Sequence, residues 1–216
     1  MLIKPKKSLG QNFLHDENII NKIINASKIS SDDQVLEVGP GTGNLTKLII
    51  SQKPKKIYVV EKDKSLAAEL EKQYYNKINI INEDILKITN EFYSGKKFLI
   101  LGNLPYNIST KILSNWCLNN ELNVSKMILM FQKEVAERIL ANVNSKEYGR
   151  ITILSKWKFD IRKITDVKPN SFFPKPKINS SVLEFIPKNK IHDIKDSKNL
   201  EKITKVFFSQ RRKMIN

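Results

Sequence analysis

A chain of 216 residues, 40% hydrophobic, suits one α/β domain with a small appendage. Its apolar runs, such as Phe98-Leu99-Ile100-Leu101, are too short to span a bilayer, and the three lysines of the first seven residues lead into no signal-type apolar segment. The lone Cys117 excludes an internal disulfide and a thiolate metal cluster and fits a reducing cytoplasm, while a net charge of +16 favours a polyanionic partner.

Nearly all of that charge is lysine, with arginine only at 138, 150, 162, 211 and 212. A coding bias toward lysine raises charge without function, so composition alone leaves nucleic acid binding open. Along the chain, strand-like runs at Val35–Val38, Ile57–Val60, Ile78–Ile81, Phe98–Leu101 and Met127–Phe131 alternate with helical spacing over Leu45–Ser51, Lys64–Tyr75, Thr110–Leu118 and Glu134–Ala141. Alternation of this kind predicts a doubly wound, mostly parallel α/β sheet, because parallel neighbours need crossover connections. Ile161–Val167 and Ser180–Ile186 then follow without an intervening helix, which predicts an antiparallel pair at the sheet edge. The polar stretch Lys188–Lys198 reads as a linker into a helical pattern ending Phe207-Phe208-Ser209-Gln210-Arg211-Arg212.

The strongest local motif is Glu37-Val38-Gly39-Pro40-Gly41-Thr42-Gly43, between the first of these strands and its helix. Open α/β sheets bind ligands at such a crossover, and glycine lets the backbone approach the ligand closely. Asn44 stands where a dinucleotide fingerprint wants its third glycine, so a pyrophosphate site fits less well than a cofactor without phosphates. Glu61, about 20 residues on, is placed to accept hydrogen bonds from both hydroxyls of a ribose. Asp84, after the third strand, can take the amine of an adenine ring. This order of strand, glycine loop and two acids is the one expected for S-adenosylmethionine, with Gly39, Gly41, Glu61 and Asp84 as binding residues; a structural turn with two solvated acids is the plain alternative.

After the fourth strand comes Gly102-Asn103-Leu104-Pro105-Tyr106. An adenine amine is a poor nucleophile because its lone pair is delocalised into the ring. The Asn103 carboxamide oxygen and the carbonyl near Leu104 can accept both its protons and so favour a pyramidal nitrogen. Pro105 fixes the chain, and Tyr106 offers a face on which an extruded base can stack. Phe172, in Phe172-Phe173-Pro174-Lys175-Pro176, is the expected second face, with Phe173 as competitor and a plain core role as the alternative. Lys4, Lys6, Lys7, Arg211 and Arg212 could touch phosphate or lie in solvent. His15 and His192 have no metal-ligand spacing, and no metal site is expected.

Seven segments together resemble one family: Gly10–Leu14, Glu37–Gly43, Asn103–Tyr106, Met130–Val135, Tyr148–Arg150, Phe172–Ser181 and Phe208–Met214. They are similar to the bacterial 16S ribosomal RNA adenine dimethyltransferases, relatives of the 23S RNA methyltransferases of antibiotic resistance. The resemblance implies a Rossmann-like class I methyltransferase sheet over residues 1–187, with 188–216 as the linker and first helix of a small C-terminal helical domain that such enzymes carry. It implies that Asn12, Leu14, Gly39, Glu61, Asp84 and Asn103 line the S-adenosylmethionine site and that Tyr106 and Phe172 sandwich the target adenine. It further implies four methyl transfers to two adjacent adenines in the 3′-terminal hairpin of 16S RNA, in the small ribosomal subunit or its precursor, by a cytoplasmic monomer with no membrane partner. Two rivals stay open: a 23S RNA adenine methyltransferase of the macrolide-resistance type, and a noncatalytic RNA-binding assembly or transcription factor on the same fold. Leu104 and the Tyr148–Arg150 segment favour the 16S reading.

Overall fold

The computed structural model of the protein describes residues 5–6, 9–189 and 196–209. In chain order the elements are β1 (Phe13–Leu14), α1 (Glu17–Ser27), β2 (Gln34–Val38), α2 (Asn44–Ser51), β3 (Lys56–Val60), α3 (Lys64–Gln73), β4 (Asn79–Ile81) and α4 (Asn90–Tyr93). They continue with β5 (Lys97–Asn103), α5 (Ser109–Leu118), β6 (Asn123–Gln132), α6 (Lys133–Leu140), α7 (Arg150–Lys158), β7 (Phe159–Val167), β8 (Phe172–Phe173), β9 (Ser180–Pro187) and α8 (Ser197–Ser209).

Seven strands form one sheet in the order β4-β3-β2-β5-β6-β9-β7. The first five run parallel, and β9 lies antiparallel to both β6 and β7, so the expected reversed pair is present. Alternating side chains feed two cores, one on each face. Leu36, Val38, Ile100 and Leu129 face α5 to α7, whereas Val35, Val59, Leu101 and Ile128 face α1 and α2.

Three helices were not among the expected elements: the single turn α4 and the longer α1 and α7. Asp16 caps α1 by accepting from the amides of Asn18 and Ile19, and Ile19, Ile20, Ile23 and Ile24 form its buried stripe. In α7 the inward face is half polar: Thr152 and Ser155 are buried beside Ile151 and Leu154, which blurs the apolar period. Both polar groups are satisfied, Thr152 Oγ1 by the Arg138 carbonyl and Ser155 Oγ by that of Ile151. Cys117 is fully buried in α5, and burial pushes its thiol up to about 12, consistent with a small packed side chain rather than a reactive one.

Strand order fixes where a site can form. From β2 the chain moves outward through β3 and β4, then returns to β5 on the other side of β2. The boundary between β2 and β5 is therefore the topological switch point, and the crevice lies beyond their carboxyl ends.

Candidate active site

The glycine turn leaves β2 and the asparagine turn leaves β5, adjacent strands in register with Val38 opposite Gly102. Gly39 has φ of 69°, and a Cβ there would stand 3.2 Å from the carbonyl oxygen of Asn103. Gly41, at φ 58°, would place a Cβ 2.6 Å from the Phe13 ring. Only glycine meets both demands, a left-handed backbone and no side chain. The turn is tied to the next strand by the Gly39 amide, which donates to the Val60 carbonyl at 3.1 Å.

Three carboxylates surround this turn in different electrostatic states. Glu37, on β2, is 1% exposed, and burial pushes its carboxyl up to about 8; the charge of Glu61 adds to this and the nearby Thr46 hydroxyl opposes it. Glu37 Oε2 and Thr46 Oγ1 nevertheless stand short of a well-formed hydrogen bond, and both are buried without a partner. Glu61 sits at the end of β3, where burial also raises its pKa although the Asp63 amide donates to Oε1 at 2.8 Å. Asp84 behaves oppositely: burial pushes it up, but the Leu86 amide and Lys62 ammonium, each 2.9 Å away, hold it below the usual carboxylate range.

Asn103 is the last residue of β5, and its Nδ2 donates to the Asn12 carbonyl at 2.8 Å. That bond sets which way the carboxamide faces. No donor among the described residues reaches its Oδ1 or the Leu104 carbonyl, so two acceptors are left for a ligand. The Pro105 carbonyl is taken by the Ile108 amide at 3.1 Å, closing the turn that carries Tyr106. The Tyr106 hydroxyl lies 2.6 Å from Ser180 Oγ.

An N-terminal arm roofs the crevice. Lys6 Nζ and Gln11 Nε2 donate to the two oxygens of Asp63 at 2.8 and 2.9 Å, while Asn44 Nδ2 reaches the Leu14 carbonyl at 2.9 Å. These bonds outweigh the burial of Asp63 and keep its carboxyl below the ordinary range.

The residues expected at 12, 14, 39, 41, 61, 84 and 103–106 all line one cavity at the switch point. Phe172 is not in that lining, although Leu14 and Val182, against which it packs, are. It is 3% exposed and packs with Val182 and Leu14, its ladder partner, because alternation along β8 turns it inward and leaves Phe173 outside at 62%. Lys6 is held by a carboxylate rather than left for phosphate, whereas Lys4, Lys7, His192, Arg211 and Arg212 lie outside the described residues, as does the end of the Phe208–Met214 segment. No site role was expected for Gln11, Glu37, Asn44, Asp63 or Ser180. Asp63 carried a readable signal, since it precedes α3 as its N-cap two residues after Glu61. No group of three or more potential metal ligands occurs among the described residues.

A family model for ribosomal RNA adenine dimethylase matches residues 3–216. The chain belongs to that family. The ribosomal RNA small subunit methyltransferase A of Pelagibacter ubique is 54% identical over all of this chain and 82% of its own length. The protein of the same name from a Wolbachia strain of Drosophila simulans is 42% identical, over 99% of this chain and 79% of its own. Among solved structures, a dimethyladenosine transferase from Plasmodium falciparum superposes with a TM-score of 0.79 at 33% identity, covering 94% of this chain and 73% of that one. The 23S rRNA methyltransferase ErmE gives 0.73 at 24% identity over 92% and 80%, a likeness of fold. The chain is thus a member of an adenine dimethyltransferase family with a Rossmann-like sheet, and the methyl donor of such enzymes is S-adenosylmethionine.

Proposed function

We propose that this chain dimethylates N6 of two adjacent adenines in the 3′-terminal hairpin of small-subunit ribosomal RNA. The observation that carries the reading is the contact of the two turns: Gly39 and Asn103 open into one cavity, so donor and acceptor can meet. The name that these relatives share supports the small-subunit substrate.

The cavity fits a cationic nucleoside. Its glycine backbone admits close approach, and the buried Glu37 Oε2 has no partner of its own. Glu61 would hold the ribose, Asp84 the adenine amine, and the arm at Asn12 and Leu14 the roof. Bound there, S-adenosylmethionine supplies an electrophilic methyl carbon on a positively charged sulfur. The protein's own work is on the acceptor side. Asn103 Oδ1 and the Leu104 carbonyl would each accept one proton of the target amine, which localises the nitrogen lone pair. Pro105 keeps that carbonyl aimed, and Tyr106 stacks the base, worth about 1 to 3 kcal/mol. A strong base is dispensable because the amine becomes acidic once methylated. Alignment is the main contribution, and it supplies several kcal/mol.

We place the catalytic unit at residues 1–187 and read 188–216 as the linker and first helix of an appended domain. The start of α8 is already fastened to the sheet unit, with Ser197 Oγ donating to the Leu118 carbonyl at 3.1 Å and Arg150 paired with Glu201. No described helix is long and apolar enough to cross a membrane. The reading places the protein in the cytoplasm, acting as a monomer on the small subunit or its precursor.

The deciding experiment offers tritiated S-adenosylmethionine with undermethylated small subunits, naked 23S RNA and DNA in parallel. Label on N6 of neighbouring 16S adenines is expected. Label confined to 23S RNA or to DNA overturns the substrate, and saturable donor binding without transfer to any of them overturns the enzymatic reading.

A further inference from the structure

We infer that Ser180 is a positioning residue for the acceptor base, acting through the hydroxyl of Tyr106; this rests on the proposed function. Tyr106 stands three residues beyond the end of β5, on a turn, where an untethered ring keeps rotational freedom at both side-chain torsions. Tyr106 lines the cavity, and its hydroxyl is engaged 2.6 Å from Ser180 Oγ. The face of the ring is thus what a substrate meets, and the far end of the ring is the handle by which the protein holds it.

The anchor is well suited to that task. Ser180 is fully buried and opens β9, in register with Gln132 at the end of β6 and Val167 at the end of β7. Its neighbours pin the same spot: the Lys133 amide donates to the Asn179 carbonyl at 2.9 Å, and Ser181 Oγ donates to Asp166 Oδ1 at 2.6 Å. A hydroxyl fixed to a three-strand framework therefore sets the tilt of a ring carried on a turn. The reacting loop is held at both ends, by Asn12 through Asn103 and by Ser180 through Tyr106. Base stacking needs the ring plane parallel to the base, so a ring free to tilt lowers the share of encounters with the amine aimed at Asn103 and Leu104.

A buried serine also needs a partner for its own sake, and a double-mutant cycle separates the two roles. Ser180→Ala, Tyr106→Phe and the double variant are compared with the wild type on undermethylated small subunits, with KM for RNA and for donor measured separately and a melting temperature taken for each. Tyr106→Phe removes the same hydrogen bond from the cavity side and leaves the buried strand untouched. Each single change is expected to lower kcat/KM for RNA by about tenfold, the size of one lost hydrogen bond, with donor KM within about twofold. The double variant is expected to be no worse than either single. Multiplying losses, a Ser180→Ala enzyme equal to wild type, or a loss that appears in donor KM overturns the inference while leaving the function standing. A wild type that binds donor but methylates nothing overturns both.

Discussion

Asn103 shows how much one side chain can carry. Its Nδ2 is committed to the Asn12 carbonyl, which leaves Oδ1 as the acceptor for the target amine. Replacement by Ala is expected to lower methyl transfer by about 10²- to 10³-fold, the scale seen when one transition-state hydrogen-bonding group is removed. Calorimetry should still detect donor binding; an unchanged rate refutes the assignment. Glu37 makes a prediction about pH. Its carboxyl is neutral in the fold up to about 8 but ionises near 4.5 once unfolded, so above 4.5 the folded state holds the extra proton. Stability from this group is full below pH 4.5 and is lost as pH climbs through 8. Melting temperature should fall between pH 6 and 8.5, and Glu37→Gln should remove most of that slope, with Glu61 contributing the same sign. Asn103, Glu61 and Asp84 were legible because motif and strand end coincide. Glu37 and Ser180 were not, since their roles rest on burial and on partners distant in sequence, which a linear pattern does not display.

The N-terminal arm and the glycine turn work as a pair of elements. Phe13 lies against Gly41, and the arm is fastened at Asp63 and Asn44. Gly41→Ala meets a φ of 58° and a ring 2.6 Å from the new methyl, so the fold should lose about 1 to 2 kcal/mol and donor affinity should drop as Phe13 is displaced. Chemical denaturation and donor titration read the two effects; a variant neutral in both would show that the arm yields freely. Element recognition from sequence succeeded where apolar period and length agreed, as for β2, β3, β5 and α2. It overlooked α1 despite the isoleucine stripe and the Asp16 cap, and α7 because Thr152 and Ser155 occupy its inward face. The two-residue ladder of β1 with β8 joins segments from opposite ends of the chain, a pairing no local pattern announces.

At the scale of the whole molecule, a charge of +16 should show itself in salt dependence. RNA affinity is expected to weaken by at least about tenfold between 50 and 200 mM salt as fewer counterions are released, while donor affinity stays nearly constant. Equal sensitivity in both would mean that the lysines do not engage phosphate. The sheet itself was readable, including its reversed pair, because crossover and hairpin connections leave different spacings between apolar runs. What the spacing could not give was the distance between the two turns at the switch point. With the Asn103 carbonyl only 3.2 Å from where any side chain on residue 39 would begin, the two turns that shape the donor and acceptor berths leave no slack between them. Neither can be reshaped alone, so an attempt to engineer this enzyme toward a bulkier donor analogue should displace the acceptor as well, and changes on both strands will have to be made together.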